Sequence, residues 1–387
     1  MIAREAESEL RILAEQFKAV AVVGPRQSGK TTLVRKVFES KPYVNLENPD
    51  IRLFAIEDPK GFLSNYPDGA VLDEIQRAPE LFSYLQQILD EQTANGFFIL
   101  TGSNNFLLQE SISQSLAGRV AYLFLLPLTI SETGDRNSSI NSVIFSGCYP
   151  ALYNNRTNTD PARFYANYIR TYVERDVRLI RNITDLYAFE KFLRLCSGRI
   201  GQLLNMSSLA TEVGVDVKTI GSWIGVLEAS FILFRLQPHH MNFNKRIVKM
   251  PKLYFYDTGL AVALLGIEKA DYLTMHSSRG SLFENMVIVD FLKNRYNRGR
   301  LPNLWFWRDN TGNEIDLLID NGISQIPVEI KSGQTLSAES VRGLKFWNRL
   351  TGIEGGYLVY GGGEIQKRSS GITAVPYNSL NIIYDLL

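Results

Sequence analysis

The nine residues Gly24-Pro25-Arg26-Gln27-Ser28-Gly29-Lys30-Thr31-Thr32 have the spacing of a phosphate cradle. Gly24 and Gly29 let the backbone curl until its N–H groups converge on one anion, and a helix starting there adds the positive end of its dipole. Lys30 would reach β- and γ-phosphate oxygens. Thr31 would set its hydroxyl on Mg²⁺, and Thr32 would touch the α-phosphate. The pattern alone is weak. Here an apolar β-type run, Ala19 to Val23, precedes it, and helical spacing of Leu33, Val34 and Val37 follows.

Such a cradle needs an acid from a neighbouring strand. "GAVLDEIQRAP" supplies Ala70, Val71 and Leu72, then Asp73 and Glu74. Asp73 would hold Mg²⁺ through water, and Glu74 would polarise an attacking water, which separates an ATP hydrolase from a nucleotide binder. "FFILTGSNNFLL" is a further strand ending in small polar residues, and Ser103 or Asn104 there would sense the γ-phosphate. Arg119, in "SLAGRVAYLFLLPLTISE", precedes the last strand of this region, where ring ATPases carry an arginine that reaches into the neighbour's site.

A second set of groups lies near the other end. "GNEIDLLIDNG" holds Asp316, and "QIPVEIKSG" holds Glu329 and Lys331. Carboxylates converging on Mg²⁺, with a lysine steadying the water or the transition state, are the requirements of metal-dependent phosphodiester cleavage. Glu329 and Lys331 are two apart and point to one face of a strand. Asp316 joins them only if the two strands pair in register. Glu284, in "RGSLFENMVIVDFLKN", would add a fourth group from a helix. The competing reading is a fold of this type kept as a binding platform without cleavage.

The chain has 387 residues, enough for about two to three domains with separate cores. Its net charge of +1 excludes a polycation, so any nucleic-acid surface must come from local clustering. Cys148 and Cys196 form no CxxC, which argues against a zinc site or disulfide framework and fits a reducing compartment. The start, "MIAREAESELRILAEQF", lacks the apolar core of a signal peptide. The run "AYLFLLPL" is about half a membrane helix. A cytoplasmic enzyme or binding protein, with no membrane partner, is the expectation.

Residues 133–142 are polar and end the first domain. From 160 to 197 the pattern is helical, with Asp160 as N-cap and Pro161 at the first position, and reads as a small lid. Arg170, Arg175, Arg178 and Arg181 are candidates for a second arginine near the phosphates, although a solvated helix face is the commoner use of such residues. "LNMSSLATEVGVDVKTIGSWIGVLEASFILFRL" then predicts a helix-turn-helix. Ser207-Ser208 would cap a helix through Glu212, Gly214 would turn, and Asp216 would cap the next helix, with Ile220, Trp223, Ile224 and Leu227 inward. A strand over 231–236 follows, then a basic loop with Lys245, Arg246, Lys249 and Lys252, then the strand "KLYFY". That is a winged helix, which would meet DNA through Lys218, Thr219, Ser222 and the loop by phosphate contact more than base readout, or would serve only in packing between domains. His239 and His240 read as surface residues. The last region orders helix, three strands, helix, strand, the core layout of the PD-(D/E)XK nuclease-like fold.

Taken together, "VVGPRQSGKTT", "VLDEIQRAPELF", "LTGSNNFLL", "LAGR…LPLTISE", "SGCYPALY", "YVERDV", "KLYFYDTGL", "LFENMV" and "EIDLLI…VEIKSG" resemble the archaeal- and bacterial-type AAA+ ATPases. In those proteins an AAA domain is followed by a C-terminal domain long labelled as of unknown function. The likeness runs over nearly the whole chain. Departures are the short lead Gly69-Ala70 before the acid strand, and "SGCYP", where paired glycines are more usual. The expected fold is α/β: an AAA+ parallel-sheet domain (1–132), a helical lid (133–197), a winged helix (198–262) and the nuclease-like domain (275–387). The resemblance implies a ring of six subunits; the loop and acid motifs imply ATP and Mg²⁺ as cofactors, and the winged helix and last domain imply DNA as a partner. The function expected is an ATP-driven motor that remodels branched or repair DNA, with or without Mg²⁺-dependent cleavage. Its alternative is an ATP-driven switch or assembly factor whose last domain is a catalytically dead platform.

Overall fold

The structure is a computed structural model, which describes residues 2–103, 116–134, 138–154, 159–177, 183, 185–239 and 248–385. Five strands form a wholly parallel sheet in the order β2 (Tyr43–Asn45), β3 (Ala70–Asp73), β4 (Phe98–Gly102), β1 (Ala19–Val23), β5 (Val120–Phe124). Every residue of β1, β3 and β4 is buried, the signature of a parallel sheet covered on both faces. Val20 and Val22 face the helices Ala6–Gln16 and Lys30–Val37, while Ala19, Ala21 and Val23 face the main core. The carboxyl ends of β1, β3 and β4 therefore meet at one edge, where ligands of open α/β sheets bind.

After this sheet come short helical segments, Ile140–Ser146 and Pro150–Tyr153. The expected Asp160 cap is present: its side chain accepts from the Arg163 N–H, with Pro161 opening the helix Pro161–Tyr168. The winding then widens to a π-helix over Ile169–Val177, a feature that often marks functional positions. Helix Leu186–Ser197 packs Phe189 and Phe192 on Trp223. Helices Met206–Val213 and Val217–Ala229 follow, the second capped by Asp216 and burying Ile220, Trp223, Ile224 and Leu227 as its spacing predicts.

Two details differ from expectation. The cap of Met206–Val213 is Asn205, which accepts from the Ser208 N–H, not Ser207 or Ser208. The next strand, β6, spans only Leu233–Leu236 because Phe231 sits at φ 55, left-handed backbone that interrupts an extended run. β6 pairs antiparallel with β7 (Lys252–Phe255).

The last third contains helix Arg279–Asn297, β8 (Leu304–Arg308), β9 (Glu314–Asp320), β10 (Gln325–Lys331), helix Arg342–Thr351 and β11 (Gly356–Tyr360), then β12 (Gln366–Lys367) and β13 (Ile372–Pro376). The sheet order is β12-β13-β11-β10-β9-β8. Helix, three strands, helix, strand is thus the observed succession. Helix Arg279–Asn297 buries nearly every side chain from Leu282 to Asn294 and touches β5, β7 and β10. It is the spine between the two sheets. No helix among the described residues is long and apolar enough to cross a membrane.

Asp290 pins this spine to the first sheet's region. It accepts from the Ile130 N–H at 2.8 Å and from the Tyr384 hydroxyl at 2.6 Å, and Lys293 donates to the Leu128 carbonyl at 2.7 Å. Burial pushes the Asp290 carboxyl up to about 6, against the pull of Lys293. A raised carboxyl favours the fold at low pH, and that contribution fades as pH rises from the unfolded value through about 6. Asp290→Asn should therefore flatten the pH dependence of unfolding free energy between about pH 4 and 6, a difference on the order of 2 kcal/mol. Urea unfolding across that range checks it; parallel curves for the two proteins would refute it.

Candidate functional site

Residues 24–29 join a strand to a helix, the local order that the spacing predicts. β1 ends at Val23, and a Cβ on Gly24 would collide with the Leu125 carbonyl, so the loop must begin with glycine. Gly29 lies at φ 94, where only glycine is at ease, and the helix starts at Lys30. Lys30 is buried and its Nζ donates to the Gly24 and Pro25 carbonyls at 2.9 and 2.8 Å. Burial lowers its ammonium to about 8, opposed by Glu74 and Asp73. The Arg26 guanidinium lies 5.7 Å from the ring centre of Tyr172, linking the loop to the π-helical segment. Gln27 also holds a left-handed φ of 63, a strained value for a non-glycine residue.

Asp73, at the end of β3, is the hub. Its carboxylate accepts from Thr31 Oγ1 at 3.2 Å, from the Tyr43 hydroxyl at 2.5 Å, and from Thr101 Oγ1. A threonine hydroxyl and a carboxylate this close form a hard-oxygen pair that fits Mg²⁺. Glu74 has a left-handed φ of 57, which turns its side chain off the strand, and Oε2 accepts from Ser103 Oγ at 2.8 Å and Gln76 Nε2 at 2.5 Å. Its own N–H donates to Thr101 Oγ1 at 3.2 Å. Ser103 is thus joined to Glu74, while Asn104 lies outside the described residues. Beside the helix start runs a cavity of about 560 Å³, lined by Gly29, Thr32, Leu33, Lys36, Pro150 and Tyr153 among others.

Pro150 and Tyr153 are held there by a device the sequence reading did not foresee. Asp257 accepts from the Cys148 N–H at 2.7 Å and from the Tyr165 hydroxyl at 2.6 Å. Leu128 in turn donates to the Cys148 carbonyl at 2.9 Å. "SGCYP" and "YDTGL" therefore act as one buried joint. Thr101, Tyr43 and Arg4 were also missed; Arg4 Nη1 donates to the Ser28 carbonyl at 2.7 Å.

Arg119 stands at the opposite edge of the sheet. Val120 pairs with Ala19, the first residue of β1, while the phosphate loop follows Val23, the last. It cannot serve its own loop. It pairs with Asp90 through Nε at 2.5 Å and Nη2 at 3.0 Å. Arg170 is exposed; Arg178 and Arg181 lie outside the described residues, as does the side chain of Arg175.

The second cluster also assembles. Val328 of β10 pairs with Leu317 of β9, which brings Glu329 against Asp316. Lys331 Nζ donates to Asp316 Oδ2 at 3.1 Å and Glu329 Oε2 at 2.8 Å, and the Ile330 N–H donates to Asp316 at 2.8 Å. Burial, then the Asp316 charge, pushes the Glu329 carboxyl up to about 9. Burial also opposes an ionised Asp316, but Lys331 and Lys252 outweigh it and hold that carboxyl below its ordinary value. Glu329 therefore holds its proton more tightly than Asp316 does.

Glu284 meets the cluster through an unexpected partner. Lys252, read from sequence as part of a basic loop, is the first residue of β7 and buried. Its ammonium bonds Glu284 Oε1 at 3.1 Å and also pairs with Glu314. Tyr254, two residues on and so on the same strand face, donates to the same Glu284 oxygen at 2.5 Å. Arg308 holds Glu314 from the other side at 3.1 Å. Lysines lie among the carboxylates, and among the described residues no three histidine, cysteine or acidic side chains are grouped to hold a metal ion. His239 is likewise no free surface residue: its Nε2 lies 3.0 Å from Asp320 Oδ2, and its N–H donates to the Phe306 carbonyl. Lys249 and Lys218 are exposed as expected, whereas His240, Lys245 and Arg246 fall outside the described residues.

A parallel sheet with a phosphate loop, an acid strand and a polar third strand at one edge defines an AAA-type P-loop ATPase domain, and residues 16–134 match the family model described as AAA domain. Residues 137–271 and 279–380 match two models described as domains of unknown function, DUF8612 and DUF4143. The chain belongs to the same family as the Mycobacterium tuberculosis protein named Uncharacterized protein Rv2008c, 30% identical over 381 residues, which cover 97% of this chain and 84% of the relative. A Haemophilus influenzae relative, also named uncharacterized, is 21% identical over 219 residues, covering 52% of each. Among solved structures the chain is similar to the Walker-type ATPase PABY2304 of Pyrococcus abyssi (14% identity, TM-score 0.46, 68% of this chain and 96% of that one). It is also similar to a single-substitution variant of Thermotoga maritima RuvB (17% identity, TM-score 0.31, 60% and 90%).

Proposed function

We propose that the protein hydrolyses ATP and uses the cycle to bind and remodel DNA, with branched or repair intermediates as the substrate class. The observation that carries the ATPase half is the joint placement of Thr31, Asp73 and Thr101 with Glu74 and Ser103. Lys30 exchanges its two carbonyl bonds for phosphate oxygens. Glu74, steadied by Ser103 and Gln76, orients and deprotonates the attacking water. Mg²⁺ held by Thr31 and Asp73 would neutralise charge on the β- and γ-phosphates. The cavity beside Thr32 suits the adenosine.

The DNA half is supported by three helices followed by a two-strand hairpin, with Lys218 and Ser222 exposed on helix Val217–Ala229. Anisotropy of labelled single-stranded and branched DNA tests it. Binding should weaken steeply with salt, as phosphate contacts require; no binding to either form at low salt would remove DNA from the account.

The second reading, an ATP-driven switch whose last domain is a platform, is favoured by the lysines among the carboxylates. Lys331 bonds both Asp316 and Glu329, and Glu284 is engaged by Lys252. Incubating the protein with Mn²⁺ or Mg²⁺ and nicked-product gels separates the two. A cleaving site yields product that Asp316→Ala or Lys331→Ala removes while ATP turnover persists. A platform yields none in any variant.

Assembly into a ring, six subunits by resemblance, would let Arg119 serve a neighbour's nucleotide in exchange for Asp90. Mixing Arg119→Ala with Lys30→Ala subunits should then restore measurable turnover that neither has alone. Full turnover by a monomer at all concentrations would exclude it.

A further inference from the structure

We infer that Arg4 is a positioning residue for the phosphate loop: its guanidinium fixes the Ser28–Gly29 peptide so that the Gly29 N–H is aimed at the nucleotide's phosphates. The inference rests on the ATPase reading of that loop. Three partners hold the guanidinium. Nη1 donates to the Ser28 carbonyl at 2.7 Å, Nη2 to the Leu126 carbonyl at 2.7 Å, and Nε to Glu132 Oε1 at 3.1 Å. The side chains of Arg4 and Glu132 are 7% and 2% exposed, so this ion pair is shielded from water.

The bond to Ser28 has a geometric consequence. In a trans peptide the carbonyl and the next N–H point in opposite directions. Drawing the Ser28 oxygen towards Arg4 turns the Gly29 N–H to the other side of the peptide, away from Arg4 and towards the hollow of the loop. Gly29, at φ 94, has the backbone freedom to accept that orientation; a Cβ there would face Arg4 Nη1 at 3.6 Å. Among the described residues the buried Ser28 hydroxyl has no hydrogen-bond partner, so it adds no anchor to this peptide.

The other end of the clamp is fixed. Glu132 also accepts the Glu5 N–H at 2.6 Å and the Thr129 N–H at 2.8 Å. Leu126 lies two residues past the end of β5. Arg4 thus ties the cradle to the chain leaving the sheet and to the start of helix Ala6–Gln16. Only a planar guanidinium can serve two carbonyls and a carboxylate in diverging directions; a lysine ammonium cannot span them.

Calorimetry with Mg²⁺-ADP on the full chain tests this. Arg4→Ala should weaken ADP binding about tenfold, the size of one charge-assisted hydrogen bond lost from the loop's support. In turnover assays KM for ATP should rise by the same factor with kcat near wild type, since the N–H contact is made in ground and transition states alike. Millimolar guanidinium chloride should recover most of the loss, and ethylammonium should not. Should Arg4→Ala not fold, Arg4→Lys carries the test, with a loss of at least severalfold. ADP affinity equal to wild type in the folded variants would overturn the inference and leave the ATPase reading standing. A loss that guanidinium does not repair would also overturn it. Failure of the wild-type protein to bind ADP would instead remove the ATPase reading, and this inference with it.

Discussion

Glu74→Gln yields a protein that keeps ATP and does not turn it over. Gln is nearly isosteric with Glu, so the contacts of Ser103 Oγ and Gln76 Nε2 at that position can largely be rebuilt. An amide cannot take a proton from water, and removal of a positioned base costs about 10²–10⁴ in rate. Thr31, Asp73 and Lys30 keep their own hydrogen bonds, and nucleotide phosphates replace the Glu74 charge that supports the Lys30 ammonium, so nucleotide affinity should stay within about threefold of wild type, a margin under 1 kcal/mol. Lys30→Ala behaves differently, because it removes the charge that meets the phosphates and so loses binding as well. Phosphate-release kinetics beside ADP and ATP titrations check both. Wild-type turnover in Glu74→Gln would show that another group activates the water.

The second large effect is structural. Lys252→Met should destabilise the protein by about 3–5 kcal/mol, the cost of leaving buried carboxylates without their partner. Lys252 is 3% exposed in its side chain, and Glu284 and Glu314 only 16% and 22%. Glu314 keeps Arg308, so the lower end of that range is expected. Glu284 bears the loss, because burial already pushes its carboxyl upwards and Asp316 adds to that push. Adding Glu284→Gln to Lys252→Met should recover part of the stability, because it removes the orphaned charge. Urea unfolding measures both. A single-variant cost near zero would mean that water reaches the cluster.

The chemistry that could be read from sequence was local or carried by strand periodicity. Gly24 to Thr32 is one continuous turn, and Glu329 with Lys331 shares a strand face, so their types and spacing sufficed. Asp73 and Glu74 could be read because an apolar strand must end at the edge where phosphates bind. Contacts made across the chain could not. Arg4 meets Ser28 and Leu126 only because helix Ala6–Gln16 lies on the sheet face carrying Val20 and Val22. Lys252 looked like one more cation in a basic stretch. Its burial follows from the pairing of β7 with β6 beside helix Arg279–Asn297, although the alternation Lys252-Leu253-Tyr254 already put the lysine and the tyrosine on one face. Asn205 and Ser207 are comparable caps by type. The structure starts the helix at Met206, which makes Asn205 the capping residue.

In the function proposed above, ATP turnover at this loop is coupled to DNA. Steady-state ATP hydrolysis by the purified full chain, measured with and without single-stranded, duplex and branched DNA at low salt, tests it most directly. Turnover should rise severalfold with at least one DNA form, fall back as salt is raised, and disappear in Lys30→Ala. Turnover that depends on Lys30 but is the same with every DNA form and with none would contradict the coupling, leaving an ATPase that acts on something else.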